Sequence, residues 1–417
     1  MGLMPGSPIF NCRGYVMSVK IMWYLTEPDG TIPWTEAGRW DTDFKHLQQL
    51  AASIDKLGYY GALLAGPTLH VAAATFSVTE RMKFLVAQHP GEVQPAILAN
   101  YARALNRFSN NRLLFNAVNG NDAGMASVGV NFEHDERYEY SLEYWEVFRK
   151  VYLDTGGFGG LSEGYDGKYI KLAPRPSLPG RRAPKQENVQ LPPLWGAGTS
   201  PAGVAHSVKL LDVYLSFANT PQLLGEKFKR VEAEAAKIGR SFQFNGTRLQ
   251  VIVRETEEEA WEYAQYLVDN TPVEYGIQNI KRQLPPGETI DSYRSPDPQI
   301  QKNIDTIKAG RLPPAKDFEI YPNIWTGPAL HGFNILGPGA GTTLVGSAEN
   351  VAARIREFNE HGTHAFILSG WPLIEEAHRF ADLVFPLLDL DHGFEVPILN
   401  KTRRNRIVVP TPIAATA

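Results

Sequence analysis

Residues 339–388 read GAGTTLVGSAENVAARIREFNEHGTHAFILSGWPLIEEAHRFADLVFPLL. A Gly-rich turn leads through LVGSAEN into apolar positions at helical spacing over 351–358. Gly362 breaks that pattern, and a short apolar run, 365–369, has the length and composition of a buried strand. Gly370-Trp371-Pro372 ends the run, and a second amphipathic pattern begins at once over 373–387. A helix–strand–helix unit with its polar and aromatic residues at the strand's C-terminal end suits a (β/α)8 barrel, where loops at that end converge on one mouth.

The same alternation runs back through the chain. Strands are expected at 19–25, 61–64, 83–87, 113–118, 193–195, 213–217 and 247–253. Between them lie helical patterns at 43–57, which stops at Gly58, at 95–108 and at 138–152. This many strand–helix units predict an α/β fold, a closed TIM barrel with insertions. The barrel is expected to span 19–390, after an N-terminal extension at 1–18 and before a C-terminal tail at 391–417. Two stretches interrupt the rhythm. Residues 154–194 are Gly/Pro/Arg-rich and read as a surface excursion. Residues 270–336, with PPGETIDSYRSPDP and RLPP, read as a mobile lid or a disordered insertion.

Bulk properties narrow the function classes. The 417 residues carry a formal net charge of -4, which exerts no overall pull toward nucleic acid. A single cysteine, Cys12, excludes an intramolecular disulfide framework and a multi-cysteine zinc site. No apolar run has the length of a membrane span, and no compact apolar leader follows a basic start. A cytoplasmic setting is expected. His70, His89, His134 and His331 make no metal-ligand spacing, and no GxSxG or nucleophilic Cys constellation appears.

Several segments carry a resemblance. LNRFSNNR at 105–112, the strand ending NAVNG at 116–120, HDERY at 134–138, GAGTSPAG at 196–203, RLQVIVRET at 248–256, PNIW at 322–325 and the closing block occur in this order along most of the chain. Together they resemble the bacterial-luciferase-like flavin monooxygenases, in particular the alkanesulfonate monooxygenase branch. The resemblance implies a two-component enzyme that receives reduced FMN from a separate NAD(P)H:flavin reductase, uses O2, and works as a homodimer or homotetramer. Glycines in a turn that opens a helix let backbone N–H groups approach a phosphate. By themselves, residues 196–203 also suit an ordinary βα turn. By resemblance, Arg137, Tyr138, Gly198, Thr199 and Ser200 correspond to the phosphate end of FMN, Asn116 to the neighbourhood of the ring, and Gly66 and Pro67 to backbone beside it. Arg137 also suits an ion pair with Glu133 or Glu136 on a helix surface.

Arg248 is the expected catalytic residue, because a charge in the run RLQVIV is costly unless the interior gives it work. Strand alternation places it on one face with Gln250. A salt-bridged structural arginine is the alternative. Departures from the alkanesulfonate branch fall on the expected pocket. That branch has His where Gln250 stands, Tyr where Trp371 stands, Trp where Phe217 stands, and a lid Arg where Gly337 stands, with His331 and extra residues just upstream. Its Cys-bearing loop after the second strand is shortened here to 66–70. Gln250 and Trp371 are expected beside the chemistry, and Phe217 and His331 in the substrate pocket. The expected substrate is a small organosulfur compound cleaved at C–S in the manner of alkanesulfonates. The alternatives are oxygenation or ring cleavage of an aromatic or N-heterocyclic substrate, a deazaflavin-dependent oxidoreductase, and a non-catalytic flavin-binding protein. No GxGxxG fingerprint with a following acidic residue is present, so the chain is not expected to reduce flavin itself.

Overall fold

The structure, a computed structural model, describes residues 18–395 apart from Glu27, 66–67, Asn121, Val128, 155–159 and 176–188. The expected flavin neighbours Gly66 and Pro67 therefore lie outside the described residues. So do Cys12, most of the expected extension, and the tail beyond Glu395.

Eight parallel strands close into a barrel: β1 (Lys20–Tyr24), β2 (Gly61–Leu64), β3 (Lys83–Gln88), β4 (Leu113–Ala117), β5 (Leu194–Gly196), β6 (Val213–Phe217), β7 (Phe244–Arg254) and β8 (Thr363–Ser369). β8 returns to β1 with Lys20 opposite Ala365 and Trp23 opposite Leu368, which seals the sheet. Successive strands are joined by helices, and local chemistry sets their ends. The helix Phe44–Leu57 starts at Asp43, whose carboxylate accepts the His46 N–H, and stops at Gly58 in the left-handed region at φ 87°.

Period-two alternation sorts the strand residues into two cores. Trp23, Phe84, Phe115 and Leu249 point outward under the helices and are fully buried. Met22, Leu63, Leu85, Leu114, Trp195, Leu215 and Ile367 fill the barrel interior. Near the base Lys20 pairs with Asp391 at 2.8 Å, and Val19 bridges Leu390, so the first residues of the expected tail help close the barrel. Among the described residues, no helix is long and apolar enough to cross a membrane.

One strand is not anticipated by the reading of the closing block. LVGS at 344–347 belongs to a strand, Thr343–Ser347, paired in parallel with the upper half of β7. β7 is 11 residues long; its lower half pairs with β6 and its upper half runs beyond that strand's end, leaving an edge for Thr343–Ser347 to cover. Residues 270–336 fold into helices Val273–Gln283 and Pro298–Lys308 and a short antiparallel pair, Glu319–Tyr321 with Ile324–Trp325. Ile324 pairs with Leu344, joining this insertion to the extended edge of β7.

Candidate active site

The turn after β5 is shaped by close backbone approach. A Cβ on Gly198 would lie 2.4 Å from the Gly203 carbonyl oxygen, so only glycine lets these two segments touch. Ser200 caps the helix Pro201–Leu210, its hydroxyl accepting the Gly203 N–H at 3.1 Å, with Pro201 at the first helical position. The Tyr214 hydroxyl donates to the Gly198 carbonyl at 2.8 Å, and burial, outweighing that contact, pushes its pKa up to about 12, which preserves the donor.

The helix His134–Leu153 begins one turn before the expected start at 138 and packs against Pro201–Leu210. A Cβ on Gly203 would sit 3.1 Å from both the Tyr138 hydroxyl and Ser200 Oγ, so Tyr138, Ser200 and the two glycines meet in one cradle. Arg137, in the first turn of its helix, is 3% exposed, so it is buried rather than spread on the helix surface. Below Tyr138 lies His206, its ring 5.3 Å from the tyrosine ring and its Nε2 2.9 Å from Ser141 Oγ. Burial lowers the His206 pKa to about 4, leaving a neutral imidazole. Thr199 lines a groove between the helices Pro201–Leu210 and Pro221–Lys237, beside Lys227 and Arg230. Asn116, near the end of β4, is half-buried and stands in register with Ala87 and Trp195.

Farther round the rim, Arg248 sits in the barrel mouth, 7% exposed. Its Nε donates to the Tyr24 hydroxyl at 3.0 Å, its Nη1 to the Ala340 carbonyl, and its guanidinium carbon lies 4.7 Å from the Tyr24 ring centroid. His331 lies on the mouth too, its ring 5.6 Å from that of Tyr24. Phe217 stands in register with Arg248 and is 56% exposed, an apolar side chain offered at the opening. The chain from 329 to 342 crosses this opening as a strap. The helix Val273–Gln283 pins it: the Tyr275 hydroxyl donates to the Ala329 carbonyl at 2.6 Å, Asn279 accepts the Phe333 N–H at 3.2 Å and Gln283 accepts the Leu336 N–H at 3.1 Å. Asn334 folds it back by accepting the Gly341 N–H at 2.6 Å.

Gln250 shares a strand face with Arg248 but lies two residues higher, opposite Thr343 and Ser369. It lines a small cavity of about 10 Å³ together with Trp34, Trp371, Thr343 and Glu376, room for a single water. Trp34 meets Trp371 edge to face at 5.8 Å. Gln250 Nε2, Trp371 Nε1 and Ser369 Oγ are buried without hydrogen-bond partners. Burial raises the Glu376 pKa against the opposing pull of Arg254, 3.1 Å away, and Arg379.

The expected residues thus form two groups on one rim, the Tyr138–Ser200 cradle and the Arg248 mouth, with Gln250 and Trp371 in a recess above the second. Tyr24 and Trp34 escape the sequence reading. Tyr24 carries a usable signal, since alternation with Trp23 on the first strand turns it inward. Trp34 lies in a loop without periodicity, and only its contacts reveal it. Among the described residues, no cluster of His, Cys, Asp and Glu is disposed to hold a metal ion.

Comparison with known proteins agrees with this architecture. Residues 21–365 match the family model for luciferase-like monooxygenases. Among solved structures the chain is similar to a riboflavin lyase determined with modified FMN and riboflavin, at 18% identity and a TM-score of 0.67 over 93% of this chain and 96% of that one. It is similar to EDTA monooxygenase from Chelativorans sp. BNC1, at 19% identity and a TM-score of 0.64 over 93% and 98%. A long-chain alkane monooxygenase gives 16% identity and a TM-score of 0.66 over 94% and 96%. At such identities the likeness to these structures is one of fold.

Proposed function

The chain belongs to the luciferase-like monooxygenase family and is a flavin-dependent monooxygenase; from that premise we propose that it is the oxygenase of a two-component system. It takes reduced FMN from a separate NAD(P)H:flavin reductase and places one oxygen atom of O2 into a small organosulfur substrate, the other leaving as water. Within the family we put it nearest the alkanesulfonate branch, with C–S cleavage as the outcome. Reduced FMN, when bound, supplies the two electrons and the activation of oxygen.

The cradle fits that cofactor. Gly198 and Gly203 leave backbone uncovered at a helix start, where a phosphate gains from N–H donors and the helix's partial charge. Tyr138, Ser200, Thr199 and Arg137 would hold the phosphate end, and Asn116 the ring side. Gly66 and Pro67 remain assigned to that side by resemblance. Arg248 carries the proposal. Its cation is held at the top of an interior whose core is apolar, oriented by Tyr24 and Ala340 before any substrate arrives. A fixed positive charge in a site shielded from water favours negative charge developing on substrate or oxygen, because little reorganisation is needed during the reaction. The strap at 329–342 would exclude water from the mouth.

A second reading draws on the recess. The recess itself admits only a single water, but Gln250 and Trp371 bring a neutral amide and an indole to the rim beside Arg248, where the alkanesulfonate branch has His and Tyr, which favours an aromatic or N-heterocyclic substrate over a sulfonate. Oxygen uptake with chemically reduced FMN, across sulfonates, sulfones and heteroaromatics, separates the two. Sulfite release supports the first reading and a hydroxylated or opened ring the second. Substrate-independent oxygen consumption, with hydrogen peroxide as sole product throughout the panel, overturns both. Efficient NADH oxidation by the isolated chain would remove the partner reductase.

A further inference from the structure

At the ends of β3 and β4 the fold leaves polar atoms that nothing satisfies. Asn119, two residues past β4, is 7% exposed, and neither its Oδ1 nor its Nδ2 has a hydrogen-bond partner. His89, the residue after β3, lacks a partner on Nδ1. These ends are neighbours: Gln88 is in register with Ala117, and the Val118 N–H donates to the Gln88 carbonyl at 3.1 Å. Gly120 brings them closer. At φ 67° it has no room for a side chain, since a Cβ there would lie 3.3 Å from His89 Nδ1 and 2.7 Å from Met125 Sδ. A buried amide unsatisfied at both of its atoms costs more than a made bond would contribute, so a fold that keeps one has a use for it.

The location suggests the use. Asn116, assigned to the ring side in the proposed function, lies three residues earlier, inside β4. The Thr68 hydroxyl donates to the Ala87 carbonyl at 2.8 Å, which draws the segment that follows Gly66 and Pro67 over the end of β3. We propose that Asn119, with His89 beside it, holds the imide edge of the flavin ring; this rests on the FMN reading above. That edge presents an N–H at N3 between two carbonyls, an acceptor–donor–acceptor row. Asn119 Oδ1 accepts from N3–H, and Nδ2 donates to one flanking carbonyl, closing a planar pair. His89, as its Nδ1–H tautomer, donates to a further ring acceptor. The ionised phosphate has only acceptors, and the ribityl hydroxyls are not held in one plane, so neither complements a carboxamide in this way.

The test is flavin binding to the full chain, read anaerobically by quenching of its tryptophan fluorescence with reduced FMN and with the reduced N3-methyl analogue, which lacks the donor. Wild type binds FMN about tenfold or more tighter than the analogue, the scale of one buried hydrogen bond lost with its partner left unsatisfied. Asn119→Leu, close in volume and without polar atoms, weakens FMN about tenfold and abolishes the preference. His89→Phe weakens both flavins by roughly threefold and leaves the preference intact. Asn119→Ser repeats the comparison if the leucine variant does not fold. Equal affinity of wild type for the two flavins overturns the proposal, as does a preference that survives Asn119→Leu and Asn119→Ser; buried water then satisfies the amide. Wild type that binds neither flavin overturns the FMN reading itself, a distinct result.

Discussion

Around Gly198 the contacts that shape the cradle are made within one turn of chain or with adjacent elements, as in the Ser200–Gly203 cap and the Tyr214–Gly198 bond. Around Arg248 they come from far away: Tyr24 is 224 residues distant and Ala340 is 92. The cradle depends on backbone conformation and on the absence of side chains. The mouth depends on a charged side chain held by groups that only the closed barrel brings together. In the proposed enzyme these two constructions divide the labour, one holding a cofactor tail and the other acting on the reacting end, so substitutions in them should separate binding from turnover.

The largest effect is expected in the mouth. Arg248→Ala should lower the oxygenation rate by roughly a hundredfold, the scale of losing one preorganised electrostatic donor, while FMN affinity changes far less. Arg248→Lys should recover only part of it, since an ammonium lacks the guanidinium's planar fork for Tyr24 and Ala340. Rapid-mixing kinetics with pre-reduced FMN measure both; an alanine variant that turns over at the parent rate removes Arg248 from the mechanism.

The cradle should fail in the opposite manner. Gly198→Ala places a methyl against the Gly203 carbonyl, and FMN affinity should fall by about tenfold or more, roughly 1.4 kcal/mol. Riboflavin, which lacks the phosphate, should be affected much less. Equal losses for FMN and riboflavin would mean that this turn does not hold the phosphate.

Acid should loosen the cradle side through His206. Its pKa in the folded chain, about 4, lies below the ordinary value near 6.5. Well above pH 6.5 the imidazole is neutral in folded and unfolded chains alike, and its contribution to stability is complete. As pH falls toward 4 the unfolded chain binds a proton that the folded chain refuses, and that contribution is lost. Between about pH 7.5 and 5.5 the loss should be about 1 kcal/mol. Denaturant titrations of wild type and His206→Gln at the two pH values should show a shallower pH dependence in the variant; identical dependence would assign the acid sensitivity to other groups.

The smallest effect concerns the strap. Gln283→Ala removes both the acceptor for the Leu336 N–H and the donor to the Phe333 carbonyl, and KM for the organic substrate should rise by roughly threefold with kcat little changed, in line with the loss of part-buried hydrogen bonds to the strap. Limited proteolysis sharpens this. Cleavage within 329–342 should be faster in the variant and slowed by FMN with substrate in the parent. Protection that is the same with and without ligands would make the strap a fixed wall.

The sequence alone determined the barrel and its rim. Apolar runs and helical spacing recur at the right lengths, and turns are marked by residues whose conformations are local properties, such as Asp43 before a helix and Gly58 after it. The same locality makes Gly196–Gly203 readable as a turn that opens a helix, while its proposed part in holding a phosphate comes from resemblance. Tertiary structure decided what one-dimensional patterns do not contain. It made a strand of Thr343–Ser347, a five-residue segment whose partner edge on β7 lies some 90 positions back. It buried Arg137, which a helical pattern alone leaves free to face solvent. It separated Arg248 from Gln250, neighbours on one strand face, by giving the first Tyr24 and the strap and the second Trp34 and Trp371. It left Asn119 without partners at a strand end whose sequence shows only a turn. Secondary structure follows from short-range sterics and periodic burial, whereas the surroundings of a charge or an amide depend on which distant strands the closing of the barrel sets beside it.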